Sequence, residues 1–268
     1  MTGLLHGPGP ALAATTAPAP DWRLALVLLA LLVLGVVVSL LAGLGVARDH
    51  VTAGVRAVVQ LGVVSLVIAA ALGSVGWSLL VVAVMYAVAV ATSARRIDVP
   101  ARQVPWLALA VAAGALPVLA LSLGSGVVPF DGAGIVPVAG IVIGGTMTAA
   151  TLTGRRASDE LRGAFGSYEA GLALGLTQQQ AAFEVVQPSA REALLPGLDQ
   201  TRTVGLVTLP GAFVGVLLGG GTPLEAASAQ VLVLFGLMAG QAVTTAVVLQ
   251  LVARGRVVRR DLAATYPR

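Results

Sequence analysis

The sequence has no lysine and no cysteine; all sixteen of its basic residues are arginine. Without lysine there is no P-loop, whose Lys reaches the nucleotide phosphates, and no Schiff-base chemistry. The chain is therefore not expected to hydrolyse ATP by itself. Without cysteine there are no disulfides and no thiolate metal sites. Charge is also scarce. Only 10% of the 268 residues are charged, against about 25% in a soluble domain. Aromatics make up 4%, and no basic patch with interleaved aromatics occurs, so nucleic acid is not an expected partner. The formal charge of +4 reads as a topology signal.

What the chain has in excess is apolar length. Hydrophobic residues are 57% of the total, too many to leave a water-facing surface. Runs of about 20 apolar residues, enough to cross a bilayer, fill most of the sequence. The expected class is all-α: a polytopic membrane protein with about seven transmembrane helices. Residues 1–22, rich in Ala, Pro, Gly and Thr, are expected to be disordered. A signal peptide is the rival reading there. It needs a basic start and a short apolar core, whereas no Arg precedes Arg23 and the run from Leu24 to Val46 is long enough to span. Residues 23–253 read as a single transmembrane domain and 254–268 as a basic tail. The expected helices are Leu24–Val46, Gly54–Leu72, Trp77–Ala94, Val104–Leu123 with Pro117 inside, Ala133–Thr153, Leu198–Gly219 with Pro210 inside, and Leu224–Val252.

Arginine placement orients these spans. With the N-terminus outside, every arginine except Arg23 falls in or beside a cytoplasmic segment, and the outer turns near Gly73, Asp131 and Thr222 hold none. This positive-inside bias predicts an N-out, C-in chain. Arg254, Arg256, Arg259 and Arg260 are expected to anchor the tail on anionic lipid.

Small residues mark candidate helix contacts. Gly140 and Gly144 form a GxxxG pair, and Gly211, Gly215 and Gly219 a double one; such spacing lets backbones approach closely, within one subunit or between two. Pro210 is expected to kink the sixth helix and is a candidate hinge.

Between the fifth and sixth spans lies a polar stretch, 154–197, too polar for lipid. Ser158-Asp159-Glu160 reads as a helix start, Gly175 as a helix-ending C′ residue, and Thr177-Gln178-Gln179-Gln180 as a capping box. Pro188 interrupts the second helix. The stretch is thus expected to be a helix–turn–helix unit that binds a partner or lies on the membrane. Its Glu169-Ala170-Gly171-Leu172-Ala173-Leu174-Gly175, followed by Val185-Val186-Gln187-Pro188, resembles the coupling-loop signature of bacterial ABC importer permeases. Glu169, Ala170, Gly175 and Pro188 match in register; Gly171 replaces an Ala and Gln187 a Leu. A short helix with a small-residue face suits a cleft on a separate ATPase. A structured loop with no partner is the plainer alternative.

The resemblance extends beyond this loop. Arg56-Ala57-Val58-Val59-Gln60-Leu61, Pro137 to Gly144, Thr203 to Gly211, and Pro223-Leu224-Glu225-Ala226 with Gln230 are similar, in order, to segments of the FetB (UPF0014) family. That resemblance implies an ABC permease subunit in a bacterial inner membrane, paired with a cytoplasmic ATPase that binds ATP and Mg. With pairwise symmetry, it also implies a homodimer in a two-plus-two complex. Bacterial members of the family are described as iron exporters, and plant relatives are tied to aluminium tolerance. Iron or another metal is then the implied cargo, with nucleotide sugar or another small anion as the alternative. Where members commonly carry Gly-Asn-Ser-Met-Asn, this chain has Gly144-Gly145-Thr146-Met147-Thr148, so both amides are missing.

Few polar residues fall inside the spans: Gln60, Thr146, Thr148, Thr151, Gln241, Thr244 and Thr245. Intramembrane polar groups are functional candidates by default, although Thr also bonds its own helix. Arg56, Gln60, Thr146, Met147, Thr148 and Arg202 are the candidate pathway or polar-core residues. Met147 is either a soft metal ligand or a packing residue, and His50 reads as interfacial. Arg48, Thr52, Arg56 and Gln60 share a helix face. Asp199 is placed to pair with Arg56 or with Arg202. No His and carboxylate cluster has metal-ligand spacing, so a metal site is left unknown, and no cofactor is expected on this chain. An ion-coupled carrier is disfavoured because no acid falls in mid-membrane. A non-transporting assembly protein remains an alternative. An intramembrane enzyme lacks any nucleophile–base pair.

Overall fold

A computed structural model of the chain describes residues 21–71 and 73–262. The segment expected to be disordered lies, up to residue 20, outside the described residues, as does the end of the tail. Among the described residues the protein is all-helical: ten α-helices and two short 3-10 turns, with one isolated bridge between Val204 and Thr208. Six of the helices are long and apolar enough to cross a membrane. The described residues fall into two compact units, one within Met1–Val67 together with Leu218–Gly221, the other within Ile68–Leu217 together with Thr222–Arg268.

The first unit holds α1 (Trp22–Leu41) and most of α2 (Ala47–Ala71). Asp21 caps α1, its carboxylate accepting from the Leu24 N–H at 2.9 Å, which satisfies one of the helix's orphan donors. The connection turns through Gly43 and Gly45, both at positive φ, where a Cβ would be strained. The two helices meet where there is no side chain to hold them apart: the His50 ring sits against Gly35, and Leu32 against Gly54.

In the second unit, α3 (Val75–Ile97), α4 (Val104–Gly124), α5 (Gly132–Gly163) and α10 (Pro223–Ala253) pack on one another. Asp131 caps α5, and a Thr222–Glu225 capping box opens α10. The core is built from Ala, Val, Ser and Thr with few large side chains. Leu107, Val111, Ala150, Ala157, Leu161 and Val248 are fully buried at one end, and Ala115, Ala139, Val142 and Ile143 further along. Lipid gives helices no hydrophobic reason to associate, so small residues that allow close approach carry the contact. The tightest junction joins α4, α5 and α10. A Cβ at Gly114 would collide with Thr244 Oγ1 and the Gly240 carbonyl, and one at Gly240 would meet the Gly114 carbonyl at 3.2 Å.

The end of this bundle where α3, α5 and α10 finish and α4 begins is called its base here. Three expectations are corrected there. First, Ser158-Asp159-Glu160 does not start a helix, because α5 runs unbroken through it. Ser158 is buried and donates to the Gly154 carbonyl at 2.7 Å. Second, the remaining polar stretch forms three helices: α6 (Phe165–Ala173), α7 (Gln178–Val186) and α8 (Ser189–Thr203). Third, the sixth apolar run is not one helix. It is split into the end of α8, a non-helical segment 204–210, and α9 (Gly211–Leu218). Gly205 sits at φ +80, and its N–H closes a turn on the Thr208 carbonyl at 2.9 Å. Pro210 therefore precedes α9 and kinks nothing. The preceding residue is pushed out of the α region by its ring.

The basic tail also differs from a simple lipid anchor. From Arg256 to Leu262 it straps the base. Val257, Val258 and Leu262 are buried in the core, and the Val258 N–H donates to Gln103 Oε1 at 2.8 Å. Arg259, only 17% exposed, donates to Asp159 at 2.7 Å and to Asp261 at 2.9 Å. Arg162 pairs with Asp261, and Arg260 with Asp98.

Candidate functional site

The hairpin of α6 and α7 is the best-defined surface feature at the base. Its turn is a Schellman motif: the Gly175 N–H bonds the Leu172 carbonyl at 3.0 Å, and the Leu176 N–H the Gly171 carbonyl at 3.1 Å. Gly175 stands at φ +89, a conformation that suits glycine alone. Thr177 and Gln180 close the predicted capping box on α7. Gly171, in place of the Ala of the permease pattern, lies where α6 meets α7; a Cβ there would come to 3.1 Å from Ala181 Cβ.

The two faces of the hairpin differ. Inward, Tyr168, Gly171, Ala181, Ala182, Val185 and Val186 are buried against the base, and α7 packs on α5 and α10. Burial pushes the Tyr168 phenol above its ordinary range, so it stays neutral. A cavity of about 170 Å³ lies beside it, lined by Gln178, Gln179 and Arg254 among others. Outward, Glu169, Ala170, Ala173 and Glu184 are exposed, and Leu174 at the tip is 85% exposed. A leucine that bare, on a turn fixed by two backbone hydrogen bonds, takes no part in the core. Pro188, with φ −60 and ψ −29, caps α8. From there α8 packs on α5 and α10, with an exposed Arg156–Glu192 pair at 2.6 Å.

The candidate polar-core residues separate. Thr146 is buried and donates to its own helix at Ile143; exposed Thr148 does the same to Gly144. Met147 packs against the core. Arg202 pairs with Asp199 at 3.2 Å, both exposed. Arg56 and Gln60 are exposed on α2, in the first unit. Among the described residues no group of three His, Cys, Asp or Glu side chains is placed to hold a metal.

Two polar contacts escaped the sequence reading. Thr151 donates to Ser93 Oγ at 3.1 Å, joining α5 to α3, and Thr153 donates to Thr245 at 3.1 Å, joining α5 to α10. Leu237 of α10 fills the space that a side chain at Gly145 would need, with Gln241 Nε2 3.4 Å from the same position, and Gln241 fills the space at Gly197 on α8. The predicted GxxxG glycines are mostly open: nothing lies within 4 Å of a Cβ at Gly144, Gly211 or Gly215, Gly219 sits in the turn after α9, and Gly140 faces Met85. Other glycines in close contact include Gly145, Gly154 and Gly197, and, at the α4–α10 junction, Gly114, Gly236 and Gly240. The last two are a GxxxG pair on α10 that a search for the most conspicuous repeats passes over.

The segment 204–210 is the second unusual surface. Leu206 is 88% exposed and Val207 78%, and α9 has no buried residue. Irregular backbone at membrane depth is tolerated only when protein covers it or it lines an aqueous cavity.

Comparison with known proteins matches residues 22–256 to the model of an uncharacterised protein family, UPF0014. The chain is 35% identical to the rice UPF0014 membrane protein STAR2 over 81% of its length and 76% of that protein's. It is 32% identical to Protein ALUMINUM SENSITIVE 3 of Arabidopsis thaliana, over 82% of this chain and 81% of that one. It is also 32% identical to the probable iron export permease protein FetB of Escherichia coli, over 51% of this chain and 53% of that one. No solved structure matches.

Proposed function

Because the chain belongs to the UPF0014 family, we propose that it is the membrane-spanning permease subunit of an ABC transporter, driven by a separate cytoplasmic ATPase that carries the ATP and Mg. The observation that carries this reading is the α6–α7 hairpin: a rigid turn with an apolar tip at Leu174, flanked by Glu169 and Ala170, standing clear of a well-packed base. A lever of this kind moves with the ATPase it grips and passes that movement to α5 and α10 beneath it. The base is the cytoplasmic side, since the arginines gather there, which makes the chain N-out and C-in in a bacterial inner membrane.

One permease of this size makes half a route, so two copies with two ATPases form the working assembly. The polar face of α2 (Arg48, Thr52, Arg56 and Gln60) and the broken segment before α9 are the surfaces that a pathway or a second copy would cover. The relationship to the E. coli protein, named a probable iron export permease, supports iron or another metal as cargo. The residues themselves do not choose between a metal and a small anion. A proton-coupled carrier is disfavoured because no carboxylate is buried among the described residues, and such coupling uses a membrane-buried acid.

The test is co-purification in detergent with the ATPase encoded beside it, comparing wild type with Glu169→Arg/Gly175→Leu. A complex that forms on the wild type and is lost in the double variant supports the reading. A folded wild type that binds no ATPase removes it and leaves a carrier or an assembly protein.

A further inference from the structure

At the base, three arginines face a common space without a counter-charge. Arg102 precedes α4, Arg254 caps α10 and Arg256 opens the strap; with Gln103, Trp106 and Gly255 they line a cavity of about 410 Å³. Among the described residues none of the three is paired with a carboxylate, whereas Arg156, Arg162, Arg202, Arg259 and Arg260 all are. The backbone that carries the cluster is tied down. The Val258 N–H bond to Gln103 Oε1 ties the strap to the start of α4, and the Arg256 guanidinium lies 4.8 Å from the centre of the Trp106 ring. An unpaired cluster of three guanidinium groups, one of them stacked on Trp106, suits an anion with several acceptor oxygens.

The shape of the site indicates which anion. A second hollow, of about 380 Å³, begins at the same Trp106 and Arg254 and runs along the α4–α10 seam between Leu109, Ala246, Val247 and Leu251. Its lining is almost wholly apolar apart from Gln250, and Leu109 and Ala246 are exposed at its mouth. Trp106 stands at the junction, the depth at which indoles gather in bilayers. A basic cavity that opens directly into an apolar groove matches a molecule with a phosphate head and a hydrocarbon tail.

We propose that this paired site binds one anionic phospholipid of the cytoplasmic leaflet, its phosphate among Arg102, Arg254 and Arg256 and an acyl chain along the α4–α10 seam. The leaflet assignment rests on the orientation given above; the binding itself does not. The seam belongs in part to α10, which also packs on α7, so an occupied site would brace the helix beneath the ATPase-gripping hairpin.

The test uses the full chain, purified in mild detergent and delipidated, with no ATPase present. Native mass spectrometry counts retained phosphatidylglycerol against phosphatidylcholine of the same chains. Preferential retention of phosphatidylglycerol is expected. Arg102→Gln/Arg256→Gln should weaken it roughly thirtyfold, taking each interfacial charge at its usual weight. Arg155→Gln/Arg191→Gln, which removes two exposed arginines elsewhere, should leave it unchanged. Ala246→Trp keeps all three arginines and fills the groove from its exposed rim; it should also reduce retention, and it decides the matter if the double variant does not fold. Equal retention of both lipids, or equal loss in the control variant, overturns the proposal. So does displacement by soluble glycerol phosphate with Ala246→Trp silent, which would mark a free-phosphate site. Lipid retention by a chain that captures no ATPase would leave this site standing while the transporter reading fell.

Discussion

Gly114→Ala should drive α4 and α10 apart. The added methyl would land on Thr244 Oγ1 and on the Gly240 carbonyl, with Thr146 Cγ2 at 3.1 Å closing the third side. A hydroxyl can rotate; a helix carbonyl cannot. Overpacking by one carbon costs about 1–3 kcal/mol, and the fixed carbonyl places this case at the upper end. Alanine returns about 1 kcal/mol of helix propensity relative to glycine, so the net loss is about 2 kcal/mol, roughly thirtyfold in the unfolding equilibrium. Gly144→Ala and Gly215→Ala are the controls, because nothing lies within 4 Å of the new atom in either; both should be neutral or slightly stabilising. Thr244→Ala removes a buried hydroxyl that has no hydrogen-bond partner among the described residues. Combined with Gly114→Ala it should restore only part of the loss, since the carbonyl stays. The assay is denaturation in SDS–detergent mixtures followed by circular dichroism. Wild-type stability in Gly114→Ala, or an equal loss in Gly144→Ala, would refute this account of the packing.

The remaining expectations concern the base. Gly175→Ala should cost about 1–2 kcal/mol at the positive-φ turn and raise amide exchange in α6 and α7 while leaving the α4–α10 seam protected. Thr177→Ala removes the α7 cap and should cost about 1 kcal/mol, seen as the same exchange confined to the first turn of α7. Arg259→Gln breaks two charge-assisted hydrogen bonds from a largely buried guanidinium, at about 1.5–3 kcal/mol each before solvent screening of the exposed Asp159. It should make the strap from Arg256 to Leu262 susceptible to limited proteolysis while the α6–α7 hairpin stays resistant.

What could be read in advance followed from local chemistry. The Thr177 capping box, the Gly175 turn and the long apolar helices each depend on residues close together in sequence, and each formed where that chemistry places it. Several of the misreadings come from contacts that composition alone does not reveal. Ser158-Asp159-Glu160 has the composition of a helix start, yet Ser158 can bond back to Gly154 and Asp159 meets Arg259 from the tail, so α5 continues. The tail arginines resemble lipid anchors until Asp98, Asp159 and Asp261 are brought beside two of them. Of the GxxxG glycines, Gly140 does meet Met85 of α3, whereas Gly144, Gly211 and Gly215 have the right spacing with nothing within 4 Å, because spacing on one helix does not say which face meets another. Gly114 has no repeat to announce it and is in contact because Gly240 and Thr244 stand opposite.

The break before α9 has a local origin that hydropathy does not register. Hydropathy sees one continuous span from Leu198 to Gly219, because Leu206, Val207 and Leu209 are as apolar as any helix residue. Gly205 at positive φ and Pro210 interrupt it. By contrast α5, at 32 residues, extends about 48 Å, well beyond a hydrocarbon core of about 30 Å, and is cross-linked by hydroxyl pairs to α3 and α10. The segment 204–210 is instead held by turn hydrogen bonds, from the Gly205 N–H to the Thr208 carbonyl and from the Leu206 and Val207 N–H groups to the Thr203 carbonyl. Two stretches of similar hydropathy thus end as one unbroken helix and one interrupted one, and the proline expected to be a kink marks the far end of the interruption.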